Sequence, residues 1–383
     1  MEYSKIGDIC LKVCSGGTPT SSNPKYYNGG IPWLNTNEVN FCNIYSTNKT
    51  ISQEGLEHSA AKYIPANTVI VAMYGVTAGK SAIAKIPLTT NQACCNLVID
   101  EAKADYRYVY YFLKQQSDNL NKLANGGAQQ NLNSLIIKKY KIALPNLDVQ
   151  HRIASILSTY DTLIENNTKR IRLLEKMAEN LYKEWFVRFR FPGHEKVEME
   201  NGLPKGWKRG SLSDICEFKR GKNITSSEME EGNIPVISAG LEPSGYHSCS
   251  NVRGTNVTMS SSGANAGYIA IHYSDIWAAD CSYIEEATTD NIFYVYELLN
   301  NIRNVINNFQ RGAAQPHVYP KDINRIKLIL PSYDLMLKAN ERLKIMHRKI
   351  YNLQKQNSLL ARQRDLLLPR LMSGKLEVNT KTK

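Results

Sequence analysis

From Ile153 onward the apolar positions fall at Ile153, Leu157, Tyr160, Ile164, Asn167, Ile171, Leu174, Ala178, Leu181 and Trp185, in alternating steps of four and three. That spacing keeps one stripe of a helix turned toward a partner and predicts a coiled-coil seam carrying a single Asn. A second run reads Ala339, Leu343, Met346, Ile350, Leu353, Asn357, Leu360, Arg364, Leu367 and Leu371, with Pro369 expected to end or bend it. If the two helices pair antiparallel about their centres, Ile153 meets Leu371, Leu174 meets Ile350 and Asn167 meets Asn357. Two amides that would each be costly to bury alone then satisfy one another and fix the register. Parallel pairing would instead set Asn167 against Leu353 and Asn357 against Ile171, so an antiparallel pair is predicted.

Ahead of each long helix stand short strand-like runs bounded by Gly, Pro and Asn, then a shorter helical stretch near Tyr106 to Leu123 and again near Ile292 to Asn307. The two halves correspond in detail. Lys5-Ile-Gly-Asp-Ile-Cys10 matches Ser211-Leu-Ser-Asp-Ile-Cys216 at an offset of 206, and Gly29-Gly-Ile-Pro-Trp33 answers Gly232-Asn-Ile-Pro-Val236. Gly127-Ala-Gln-Gln130 answers Gly312-Ala-Ala-Gln315, and Ala143-Leu-Pro145 answers Ile329-Leu-Pro331 at an offset of 186. The order is kept while the second globular copy is shorter. The expected fold class is therefore mixed α/β (α+β), an internal repeat of two globular domains joined by two long antiparallel coiled-coil helices.

The repeat also settles the nature of Ala72-Met-Tyr-Gly-Val-Thr-Ala-Gly-Lys-Ser-Ala82. Its Gly-Lys-Ser resembles the end of a phosphate loop, but that loop needs four residues between its glycines and Gly75 and Gly79 enclose three. The second copy, Ser261-Ser-Gly-Ala-Asn-Ala-Gly-Tyr-Ile-Ala270, keeps the glycine spacing at Gly263 and Gly267 and replaces Lys80 and Ser81 by Tyr268 and Ile269. What repeats is a glycine turn between two strands, Thr68-Val-Ile-Val71 and Ser81-Ala-Ile-Ala84 in the first copy.

Further motifs recur along the chain: Leu203-Pro-Lys-Gly-Trp207 at the start of the second globular unit, Gly-x-x-x-Gly turns and Gly-x-x-Gln segments in both. Gln150-His-Arg-Ile-Ala-Ser-Ile-Leu-Ser-Thr-Tyr-Asp161 opens the first long helix, and Leu366-Leu-Leu-Pro-Arg-Leu-Met-Ser-Gly-Lys-Leu376 closes the second. In this ordered duplicate the chain resembles, over essentially its whole length, the DNA-specificity subunit of type I restriction-modification systems. The resemblance implies two target-recognition domains, at 1–147 and 193–331, with spacer helices at 148–192 and, with the tail, 332–383. It implies a target of two short blocks around a fixed gap. The implied partners are double-stranded DNA and two methyltransferase subunits that use S-adenosylmethionine, with or without motor-nuclease subunits that use ATP and Mg. A 33-residue helix from Ile153 to Trp185 would span ~50 Å, more than the roughly 34–36 Å of one DNA turn.

Forty-seven Lys and Arg against 35 Asp and Glu, a formal charge of +12, favour a polyanionic partner. No apolar run approaches the ~18 residues of a membrane span, and Met1-Glu-Tyr-Ser-Lys lacks a secretory layout, so a cytoplasmic protein is expected. The eight cysteines contain no C-x-x-C pair and read as reduced, mostly buried thiols. Asn23-Pro-Lys-Tyr26 lacks the second proline of an adenine-methyltransferase motif. No H-E-x-x-H, nuclease carboxylate cluster or His/Cys nucleophile pair is apparent, so the chain is expected to bind no cofactor or metal and to leave catalysis to partners. Gln can contact adenine and Arg or Lys guanine in bidentate fashion, which makes Gln129, Gln130, Arg311 and Gln315 candidate DNA contacts beside flexible glycines. Lys80 and Asn265 in the two glycine turns are comparable candidates. Lys219, Arg220 and Lys222 form a compact basic loop suited to phosphate, as does Lys138-Lys-Tyr-Lys141. A stand-alone two-domain DNA-binding regulator and a coiled-coil assembly protein are the rival readings.

Overall fold

The computed structural model describes residues 2–123, 132–312 and 316–378. The chain divides into two units, residues 1–165 with 358–383, and residues 166–357.

The first unit is built on a five-stranded sheet in which Cys10–Ser15 pairs with Cys94–Ile99, followed by Val69–Ala72, Ser81–Ala84 and Asn43–Ile44. Val69–Ala72 is buried at every position. Val69 and Val71 pack against Tyr108, Val109 and Leu113 of the helix Tyr106–Gln115, while Ile70 and Ala72 pack with Leu34, Ile44 and Leu88 on the other face. A strand covered on both sides needs no polar face, which is why its sequence is continuously apolar. A three-stranded sheet (Lys49–Ile51, Tyr27–Leu34, Thr89–Thr90) and the pair Glu2–Lys5 with Lys141–Leu144 complete the unit.

The second unit repeats the plan. Lys219–Arg220, Cys281–Glu285, Asn256–Ser260 and Ile269–His272 form a four-stranded sheet in the corresponding order. A three-stranded sheet (Gly245–His247, Ile234–Ile237, Trp277–Ala278) and the pair Lys208–Ser211 with Lys327–Leu330 match their counterparts. Val257, Met259 and Ile284 bury against Phe293, Val295 and Leu298 of the helix Ile292–Asn301.

The long helices run from Leu147 to Tyr182, continued by a π-turn over Lys183–Val187, and from Tyr333 to Met372. Every seam position anticipated from the 4-3 spacing is buried or half-buried. In the first unit Asp161 lies 2.5 Å from the Arg364 guanidinium; in the second, Asn167 Nδ2 donates to Gln356 Oε1 at 3.0 Å. Within the second unit, Asn167 meets Gln356 while Ala178, farther along the first helix, packs in one cluster with Leu343 and Ala339, earlier in the second, so the two segments run antiparallel. The expected Asn167–Asn357 bond is not formed, because seam side chains interdigitate rather than meet end-on. Asn167 reaches Gln356, and Asn357 Nδ2 reaches Thr168 Oγ1 at 3.4 Å. Pro369 does not end the second helix, which runs on to Met372. It lies inside the last turn, where it forfeits one backbone bond, while buried Leu368, Leu371 and Met372 hold that turn in the first unit's core.

Each long helix also fastens one of the shorter helices, within the unit that its first half belongs to. Asp105 caps Tyr106–Gln115 through the Arg107 amide, and its backbone N–H donates to Gln150 Oε1 while His151 Nδ1 stands 2.7 Å from its carboxylate. In the second unit Asn340 Oδ1 accepts from the amides of Phe293 and Tyr294, at the start of Ile292–Asn301. These bonds satisfy helix-terminal N–H groups that would otherwise be orphaned.

Candidate nucleic-acid interface

The two glycine turns are the same object built twice. Gly75 and Gly79 have φ of +75° and +83°, and Gly263 and Gly267 have +73° and +82°. In the first, Gly79 N–H donates to Ala72 O and Lys80 N–H to Thr77 O; in the second, Gly267 N–H donates to Ser260 O and Tyr268 N–H to Asn265 O. The leading glycines face open space, so positive φ alone requires them. A Cβ on Gly79 would in addition stand 2.7 Å from the Ser117 carbonyl oxygen. At the tips Val76 is 96% exposed and Ala264 is exposed. The third residue of each turn ties it to the preceding loop, Thr77 Oγ1 donating to Thr36 O at 2.8 Å and Asn265 Nδ2 to Ala239 O at 3.4 Å. Asn265 thus spends part of its amide on holding the turn.

Around the second turn the structure brings three candidate residues together. Arg220 reaches Asp280 Oδ1 at 2.9 Å, and Asp280 Oδ2 accepts from Ser262 Oγ, the residue before Gly263. Arg311 and His317 exchange backbone bonds, His317 bridges Ser262, and Gly263 N–H donates to Pro316 O. Arg220, Asn265 and Arg311 therefore converge on one turn. Lys219 points to the other side of its strand, 3.4 Å from Glu285, and Lys222 is exposed beside Trp277. Arg311 is also paired, 2.9 Å from Asp322. Exposed pairs of this kind contribute only ~0.2–1 kcal/mol, so they orient these cations while leaving them able to exchange a carboxylate for a phosphate. In the first unit Lys80 bonds Asn40 Oδ1 at 2.9 Å. Gln129, Gln130 and Gln315 lie outside the described residues. The chain just after them is anchored alike, Leu132 N–H to Met73 O and Val318 N–H to Ser261 O, each beside its glycine turn.

A second repeated feature was not singled out from the sequence. Gly16 and Gly221 follow the first sheet strand of each unit, and a Cβ there would stand 2.0 Å from Thr90 O and 2.4 Å from Ala279 O. Beyond each glycine an indole N–H donates to a loop carbonyl, Trp33 to Gly17 at 3.0 Å and Trp277 to Lys222 at 2.8 Å. This fixes the backbone of the basic loop. The signal was the alignment of Ser15-Gly-Gly-Thr18 with Arg220-Gly-Lys-Asn223, which is weak because only one glycine is shared.

Among the described residues no three His, Cys, Asp or Glu side chains are grouped to hold a metal, and no helix is long and apolar enough to cross a membrane. Residues 1–176 and 204–359, which carry the two copies of this geometry, match the type I restriction modification DNA specificity domain. The chain belongs to this DNA-specificity family. It is 28% identical to the type I restriction enzyme MjaIX specificity subunit of Methanocaldococcus jannaschii, over 98% of this chain and 94% of that one. It is 27% identical to the putative type I specificity subunit S.MgeORF438P of Mycoplasma genitalium, over 81% of this chain and 82% of the relative. The crystal structure of a type I restriction-modification S subunit from M. genitalium shares the fold, with a TM-score of 0.66 and 23% identity over 97% of this chain and 95% of the other. Each copy of the specificity domain thus contains one glycine turn and one indole-held loop.

Proposed function

We propose that the chain is the noncatalytic sequence-reading subunit of a type I restriction-modification enzyme in the cytoplasm, binding double-stranded DNA at a split target with a fixed gap. Each globular unit reads one block, with domain limits at 1–147 and 193–331 and the long helices as spacers. The observation that carries this reading is the glycine turn, reproduced in dihedral angles and hydrogen bonds in both specificity-domain segments. A 36-residue helix spans about 54 Å, room for more than one DNA turn of roughly 34–36 Å. The formal charge of +12 suits the phosphate backbone.

Two methyltransferase subunits dock on the outer helical faces and supply S-adenosylmethionine chemistry; motor-nuclease subunits, where they join, bring ATP and Mg. The chain itself holds no cofactor. Lys80, Gln129, Gln130, Lys219, Arg220, Lys222, Asn265, Arg311 and Gln315 form the DNA-contacting set, the basic members on phosphate and the glutamines on base edges. The test is methyl transfer to duplex DNA by the chain alone, by the methyltransferase alone and by both together. Sequence-selective methylation only in the mixture is expected. Tight, selective binding by the chain alone, with no effect on methylation, would instead establish a regulator.

A further inference from the structure

Phe41 has φ of +53°, the left-handed region that a bulky L-residue rarely occupies. Its amide donates to Ser81 O at 2.8 Å, so the strained residue is fastened directly behind the first glycine turn. Such outliers persist where surrounding structure overdetermines them, and they cluster at ligand sites. Two ammonium groups lie against its ring: Lys80 Nζ is 5.9 Å from the centroid and Lys114 Nζ 5.6 Å. Lys80 comes from the end of the turn and Lys114 from the last turn of the helix Tyr106–Gln115.

Neither lysine has a carboxylate within ion-pair distance among the described residues, and Lys80 has only the neutral Asn40 amide. The acidic groups nearby are engaged elsewhere. Asp161 is held by Arg364 and Tyr111, and Glu38 accepts from the amides of Asn35 and Asn48. Burial lowers the pKa of Lys114, against the pull of Asp161, and Arg364 adds to the lowering while Asp365 opposes it. Two desolvated or neutrally solvated cations converging on one ring gain most from an oxyanion that reaches both.

We propose that Lys80 and Lys114, whose ammonium groups lie 5.9 and 5.6 Å from the same Phe41 ring centroid, form a clamp for one backbone phosphate of the DNA. The proposal rests on the reading of the chain as a DNA-binding specificity subunit and adds two residues to it, Lys114 and Phe41. The clamp belongs to the first unit alone. At the corresponding places of the second stand Tyr268, which lies beneath the Arg303 guanidinium at 5.0 Å, and Asn300, whose amide donates to Tyr296 O.

The experiment measures affinity for a target duplex and a random-sequence duplex against salt concentration, using the full chain with its methyltransferase partner. Lys114→Gln, Lys80→Gln, the double variant and Lys114→Arg are compared with the unaltered chain. Each Gln variant is expected to bind both duplexes about tenfold more weakly at low salt and to flatten the log–log slope by about 0.9, the value for one phosphate contact. Because one phosphate is shared, the double variant should show the slope of a single one, and Lys114→Arg should restore it. Target preference should not change, since phosphate contacts carry no base information. Folded Gln variants with an unaltered slope would overturn the clamp; if Lys114→Gln fails to fold, the slope of Lys80→Gln decides the same question. Failure of the unaltered complex to prefer any sequence would instead defeat the underlying reading.

Discussion

At the scale of single residues, the repeated turn separates two demands that glycine can meet. Gly75 needs only positive φ, so Gly75→Ala should cost about 1–2 kcal/mol, the strain of placing Cβ in the left-handed region. Gly79 also abuts the Ser117 carbonyl, so Gly79→Ala should cost a further ~1–3 kcal/mol through overpacking. Urea unfolding monitored on the first unit would rank the two, and equal losses would contradict the close approach. His272 gives a residue-level pH dependence. Burial pushes its pKa down to about 4 from an ordinary 6.5, and Thr258 Oγ1 lies 2.9 Å from its Nε2. The folded chain refuses a proton that the unfolded chain accepts, so stability is full above pH 6.5 and falls as pH drops toward about 4. His272→Gln should flatten that part of the unfolding profile.

At the scale of elements, the antiparallel helices were the most legible part of the sequence, because a 4-3 seam repeated over ten positions leaves little choice of burial. The repeat likewise made the strand–turn–strand units readable, since two copies expose what one motif alone would conceal. Less legible were the contacts between elements. Nothing in the spacing says that Gln150 and Asn340 cap short helices from the side, because those bonds join residues 45 or more positions apart. The candidate site was legible as a turn and a basic loop. Its ion pairing through Asp280, Asp322 and Glu285 was not, since carboxylates distant in sequence only meet once the sheet forms. The two units also lock their helices differently. Tyr111, Asp161 and Arg364 meet in the first, whereas buried Glu297 and His347 meet half-buried Tyr273 in the second. The side chains of Asp161 and Arg364 are 20% and 13% exposed. Asp161→Asn should therefore leave the guanidinium with only the more exposed Asp365 carboxylate and destabilise the first unit by about 1–3 kcal/mol. Combining it with Arg364→Met should recover most of that loss in thermal unfolding; an additive loss would contradict the pairing.

At the scale of the whole molecule, duplication explains both the likeness and the differences of the halves. The glycine turns, indole-held loops and sheet orders are shared, and they supply a common frame. Lys80 against Tyr268, Gln129 against Ala314 and the basic loop confined to Lys219–Lys222 vary on that frame, which is what two readers of different blocks require. The seam Asn residues act at this scale through register. Replacing Asn167 and Asn357 together by Leu should raise the unfolding temperature while broadening the spacing of blocks the complex accepts, because the polar layer no longer fixes one alignment. The central claim, two readers held at one separation, is tested most directly by selecting bound sequences from a random duplex pool at physiological salt, with the chain copurified beside its methyltransferase partner. Two defined blocks separated by a single gap length are the predicted result. One compact block, or two blocks at variable separation, would contradict it.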